Sequence, residues 1–171
     1  MGNFAICSYG KGGCYNYGTK GKADNGTYNY GIYGEAAVVT NSYAGYFNGN
    51  VRVTGTFQNP SDIKLKENIK SISPVLVNLM KLKPLIYNFK KDAPEFKSMG
   101  LASGRHYGFT AQELEEVFPE LVSTEAHPPE DEKGEPLIFK SINYIEMIPI
   151  LVKAIQEQQE KIENLKKELG K

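Results

Sequence analysis

Asn59-Pro60-Ser61-Asp62-Ile63-Lys64-Leu65-Lys66-Glu67-Asn68-Ile69 stands where this chain changes character. Upstream, residues 1–60 hold 12 of the 17 glycines and 8 of the 11 tyrosines but only six charged side chains. Downstream, residues 61–171 hold the other 34 charges, 16 basic and 18 acidic. One uniform globular domain rarely divides so, and 171 residues suit a compact domain with an appendage or two small modules. The expected division is 1–60 and 61–171.

Lys+Arg and Asp+Glu both total 20, so neither a nucleic-acid partner nor a cation sink is expected. No apolar run nears the roughly 18 residues of a membrane helix, and no charged-then-apolar leader opens the chain, so no membrane partner is expected. Cys7 and Cys14 have no histidine nearby and match neither a zinc site nor a disulfide framework. They read as reduced thiols, and no metal or organic cofactor is indicated.

The first module carries a faint repeat. Asn16-Tyr17-Gly18-Thr19-Lys20-Gly21 returns as Asn29-Tyr30-Gly31-Ile32-Tyr33-Gly34, then more loosely as Ser42-Tyr43-Ala44-Gly45-Tyr46-Phe47-Asn48-Gly49. It runs into Val51-Arg52-Val53-Thr54-Gly55-Thr56-Phe57, whose alternation reads as a β-strand. Short strands with Gly-rich corners suit a β-solenoid or an intertwined β-stalk. Sixty such residues cannot cover their own aromatic faces, whereas chains wrapped together can.

The second module reads as α+β. Ser73-Pro74 predicts an N-cap and first helical residue, with Leu76, Leu79 and Met80 on one face. Leu85 to Phe89 alternates as a strand, and residues 92–106 read as a loop. Thr110-Ala111-Gln112-Glu113 has the form of a capping box opening a short helix that ends at Phe118-Pro119. Residues 125–135 read as an acidic loop, with a strand returning from Pro136 to Ile142. A last helix spans about 144–170, opened by Asn143 and Glu146, and Pro149 is expected to kink or restart it. Along it Ile148, Leu151, Ile155, Gln158, Ile162, Leu165 and Leu169 recur at spacings of three and four, a coiled-coil seam of three heptads with Gln158 as its polar member. So narrow a stripe wants a partner helix, which identical chains supply most simply. Against its own domain, Ile148 to Ile155 are better suited than Ile162 to Leu169.

The junction resembles the opening motif of the phage intramolecular-chaperone autoproteases, the C-terminal domains of endosialidase-type tailspikes and tail fibres, with a related domain in the myelin regulatory factor. Their pattern is approximately Ser-Asp-x-Arg-Leu-Lys-x-Asn-Ile, kept here except at Lys64, where arginine is usual. Gly108 to Leu114 leading to Phe118-Pro119-Glu120-Leu121-Val122, and Tyr144 through Leu151 to Glu157, agree in order. The resemblance covers about 61–171. It implies a homotrimer whose C-terminal domains align the chains, let an upstream β-helix-like stalk wrap in register, and then cut themselves off. Mapped here, the scissile bond is Pro60–Ser61, with Ser61 as nucleophile and Lys66 as its base; Asp62, Asn68, Gln112 and Glu113 match the pattern without an assigned step. The trimer seam is Leu151, Ile155, Gln158, Ile162, Leu165 and Leu169. The implied setting is a virion tail fibre made in the bacterial cytoplasm, with the cleaved domain released.

The residues alone carry part of this. A serine hydroxyl needs a base, and lysine serves where burial disfavours its ammonium form. Positions 61 and 66 lie about 140° apart on a regular helix, so the pair requires a turn or loop, or a lysine from a neighbouring chain. Neither His106 nor His127 has a sequence argument for that role. Two other readings stand beside self-cleavage: a permanent trimeric cap that does not cut, and a receptor-binding fibre tip offering tyrosines to carbohydrate.

Overall fold

The computed structural model describes Lys11 and residues 18–37, 42–129 and 134–170. Cys7, Cys14 and the Asn16-Tyr17 start of the first repeat copy lie outside the described residues. Two compact units are distinguished, one within 1–47 and 129–135, the other within 48–128 and 136–171.

In the first unit the described residues form neither strand nor helix. Glycine instead lets separate passes of the chain meet through their backbones. A Cβ on Gly21 would lie 2.0 Å from the Gly31 carbonyl oxygen, and one on Gly34 would lie 2.4 Å from that of Ala44. Asn29 closes a turn, accepting from the Gly26 N–H at 3.0 Å and donating to the Gly26 carbonyl at 2.6 Å. Tyr28, Ile32 and Tyr33 stand exposed.

The second unit is a small α+β body with three α-helices and two short antiparallel sheets among the described residues. Its elements run α1 (Leu76–Leu79), β1 (Leu85–Tyr87), β2 (His106–Gly108), α2 (Ala111–Glu115), β3 (Val122–His127), β4 (Leu137–Ile142) and α3 (Met147–Glu168). β1 pairs with β2 through Ile86 opposite Tyr107. β3 pairs with β4 from Val122 opposite Ile142 to His127 opposite Leu137. Val75, Leu76, Leu114, Phe118, Leu121, Met147 and Ala154 form the buried core, with Leu114 fully enclosed.

Several local expectations change. Val51 to Phe57 forms no ladder, because alternation chooses a face but a ladder needs a neighbouring strand. Ser73 does not cap α1. The first turn is closed by Glu157 of α3, whose carboxylate accepts from the Val75 N–H at 2.8 Å and the Leu76 N–H at 3.2 Å. Helix α1 is also shorter than the pattern suggested and leaves Met80 exposed. The strand expected through Phe89 stops at Tyr87, and the loop expected from Glu125 begins only after His127, which is buried in β3.

The capping box at α2 forms in part: the Thr110 hydroxyl accepts from the Glu113 N–H at 3.3 Å and donates to the Glu113 carboxylate at 2.9 Å. Before α3, Asn143 Oδ1 accepts from the Glu146 N–H at 3.4 Å. Pro149 causes no restart. It sits in the first turn of a continuous 22-residue helix, where its missing N–H removes no intrahelical bond. That helix docks through Met147, Ile150 and Ala154, so the stretch from Ile148 to Ile155 does pack on its own domain, with the seam positions Ile148, Leu151 and Ile155 themselves exposed.

Candidate functional site

Asp62 organises the junction. Its Oδ1 accepts from the Lys64 N–H at 3.0 Å and its Oδ2 lies 3.3 Å from Lys64 Nζ. This caps a single 3-10 turn at Ile63–Leu65, closed by the Leu65 N–H on the Asp62 carbonyl at 3.1 Å and the Lys66 N–H on the Ile63 carbonyl at 3.0 Å. With three residues per turn and extended backbone at both flanks, the chain brings position 66 back over position 61, as an α-helix would not. Lys66 Nζ donates to Ser61 Oγ at 2.8 Å. Both partners come from one chain, through a turn.

Asn68 then takes φ 53, a left-handed conformation that asparagine tolerates better than most side chains. Asp62 and Asn68 thus shape the turn, one by capping it and the other by leaving it. An aspartate two residues ahead of the amide it captures is a short-range signal that sequence reading could have used. Lys64, at the position where arginine is usual, makes one exposed contact with Asp62.

Ser61 and Lys66 are exposed in the single chain, as are Ile63, Leu65 and Ile69 on the same arm. An ammonium donor and a hydroxyl acceptor 2.8 Å apart can exchange roles: once the lysine loses its proton, the hydroxyl becomes the donor. Gln112 and Glu113 sit on α2, with Glu113 held by Thr110 and 3.9 Å from Lys83 Nζ. Among the described residues no hydrogen bond or ion pair joins them to Ser61 or Lys66. His106 packs against the rings of Phe89 and Tyr87, at 5.0 and 5.6 Å.

The seam residues stand away from the core. Leu151 is 43% exposed, and Ile155, Ile162, Leu165 and Leu169 more so, with Gln158 exposed among them. Met147, Ile150 and Ala154, the docked residues, precede Ile148, Leu151 and Ile155 by one position each, about 100° around the axis. Two faces of one helix are therefore apolar, and one is covered. Among the described residues no group of three or more His, Cys, Asp or Glu is placed to hold a metal ion. No helix among them is long and apolar enough to cross a membrane.

Comparison with known proteins begins at the same serine. Residues 61–123 match the family described as chaperone of endosialidase, which carries a peptidase designation. An uncharacterised protein of Dictyostelium discoideum is 30% identical over 127 residues, 71% of this chain and 11% of that protein. Myelin regulatory factor homolog 1 of Caenorhabditis elegans is 33% identical over 76 residues, 43% of this chain and 8% of that protein. The chain thus spans about a tenth of the length of these relatives. The matched segment opens on the Ser61–Lys66 turn and contains α1, the first sheet and α2. It is to the chaperone-of-endosialidase family that residues 61–123 are similar.

Proposed function

We propose that residues 61–171 are an intramolecular chaperone that trimerises, sets an upstream β-stalk within 1–60 in register, and then releases itself by cutting Pro60–Ser61. The observation that carries this reading is the Lys66 Nζ to Ser61 Oγ contact of 2.8 Å at the first residue of the family match. The exposed stripe on α3 supports helix pairing, and the narrow Leu151-to-Leu169 seam is the coiled-coil contact of three chains. The upstream segment supports a shared stalk: its glycines allow backbone contact, and its described aromatics, Tyr28 and Phe47 among them, stand exposed. The setting proposed is a phage tail fibre, from which the cleaved domain departs.

The chemistry balances with one water. Neutral Lys66 takes the Ser61 hydroxyl proton as Oγ attacks the Pro60 carbonyl carbon. The C–N bond to Ser61 breaks, the nitrogen takes a proton, and an ester joins Pro60 to Ser61 Oγ. Water hydrolyses that ester, leaving a carboxylate at Pro60 and an amino group at Ser61. Lysine acts so near neutral pH only where its ammonium form is disfavoured by desolvation. In the single chain this arm lies open to water, so packing of neighbouring chains over it switches the pair on. Cutting then waits for assembly. Sequencing the N-terminus of the larger fragment tests the reading, with Ser61 expected as its first residue. An assembled oligomer that yields no fragment leaves the permanent trimeric cap, the reading that the open arm favours.

A further inference from the structure

Asn48 lies outside the Ser61–Lys66 turn, yet both the nitrogen and the oxygen of its side-chain amide bond one backbone segment. Nδ2 donates to the Ser98 carbonyl at 2.6 Å, and Oδ1 accepts from the Gly100 N–H. This is how one peptide group pairs with another in a ladder, with a donor and an acceptor used together. A second feature points to the same contact from the other side. A Cβ on Gly100 would lie 2.7 Å from the Gly49 nitrogen and 2.8 Å from the carbonyl carbon and oxygen of Asn48. Gly49 itself takes φ 137. The Asn48-Gly49 turn and the Ser98–Gly100 turn, 50 residues apart, are therefore fitted to each other. Every residue from Asn48 to Pro60 is exposed and outside helix or strand. Among the described residues from 48 to 60, Asn48 alone makes a side-chain hydrogen bond to the body of the domain.

We propose that Ser98–Gly100 is a receiving site for the end of the upstream segment, and that Asn48 is the positioning residue that seats it twelve residues ahead of Pro60–Ser61. The inference rests on the self-releasing chaperone reading given above. A span free at its upstream end samples many arrangements, whereas one tied at Asn48 returns the scissile bond to a limited volume. The seat lies on the chaperone side and its occupant on the stalk side, so it also marks where the upstream chain meets the domain before release.

The test separates the seat from the cut. In the full chain carrying Ser61→Ala, amide hydrogen exchange at Gly100 is compared with and without Asn48→Ala. Loss of one hydrogen bond predicts exchange about tenfold faster at Gly100, with β3 and β4 unchanged as the measure of intact folding. In the chain that retains Ser61, Asn48→Ala and Gly100→Ala should each slow cutting roughly three- to tenfold, and the double variant no further, because both remove the same contact. Unchanged exchange at Gly100 overturns the proposal. Faster exchange with an unchanged cutting rate, or additive slowing in the double variant, overturns the positioning role. Faster exchange in a parent chain that never cuts upholds the seat and removes the self-release reading instead.

Discussion

At residue scale, the Ser61–Lys66 hydrogen bond is shaped by two neighbours that touch neither its hydroxyl nor its amine. Asp62 caps the 3-10 turn and Asn68 carries the chain away at φ 53. Removing a side-chain cap costs about 1 kcal/mol, so Asp62→Ala should slow cutting roughly fivefold, read as the loss of intact chain with time. A left-handed residue other than glycine or asparagine costs about 1–2 kcal/mol, so Asn68→Val should slow it about tenfold while Asn68→Gly stays near wild type. The identities of the pair were legible only through the family pattern. Spacing argued against them on a helix, and nothing in spacing chooses a 3-10 turn. That choice is made by the Asp62 carboxylate and the Lys64 N–H it captures. Asn48 and Gly100 were beyond sequence reading, since a contact across 50 residues leaves no local signature.

At element scale, α3 carries two apolar stripes, one docked and one exposed. Its 22 residues span roughly 33 Å, and its core-facing and exposed stripes are offset by one position. Periodicity revealed the helix and its exposed seam. It could not assign the docked face, because Met147, Ile150 and Ala154 are as apolar as Ile148, Leu151 and Ile155. Nor could it find the cap on α1, whose acceptor Glu157 lies 82 residues from Val75. The Val75 backbone N–H holds the Glu157 carboxyl below its ordinary value of 4.5, with Leu76, Lys153 and Lys161 acting in the same sense and partial burial opposing. A carboxyl lowered by folding stabilises the fold above its unfolded pKa and loses that contribution as pH falls through the folded value. Thermal unfolding of wild type should therefore soften as pH drops below about 4.5, and Glu157→Gln should flatten that dependence. At neutral pH the same variant should melt lower. On the other face, Leu165→Asp removes a seam side chain whose burial in the proposed trimer would be worth about 1.5–3 kcal/mol per chain. Sedimentation should show it as a monomer with an unchanged β3–β4 hairpin, and its cutting should fail although Ser61 and Lys66 are intact.

At the scale of the whole molecule, the proposed function makes the division into unlike halves set the order of events. Local helical and hairpin contacts in the second half form quickly, whereas a stalk wrapped from several chains needs contacts of high sequence separation. A cap that assembles first brings the chains together at one end, lowering the entropy of finding register. Under the proposed self-release, its removal would leave the stalk without its template, and the stalk's persistence would become a matter of unfolding rate. Cut and uncut oligomers should then differ in recovery: after denaturation the uncut chain regains its oligomer, and the cut stalk does not. The composition break near residue 60 and the loss of tyrosine and glycine beyond it suggested two parts, whereas the compact units divide between residues 47 and 48, with 129–135 in the first. What composition could not supply was a partner for the strand pattern at Val51–Phe57, which stays unpaired within one chain.

The central claim is chemical, and intact mass tests it most directly. Wild type, Ser61→Ala and Lys66→Ala are purified as assembled oligomers and weighed over time. The account predicts that wild type, 19.0 kDa when whole, divides into fragments of roughly 6–7 and 12–13 kDa at about 110 Da per residue, while both variants stay whole. A wild-type chain that remains at full mass in a stable oligomer, or a Lys66→Ala chain that cuts as fast as wild type, would contradict it.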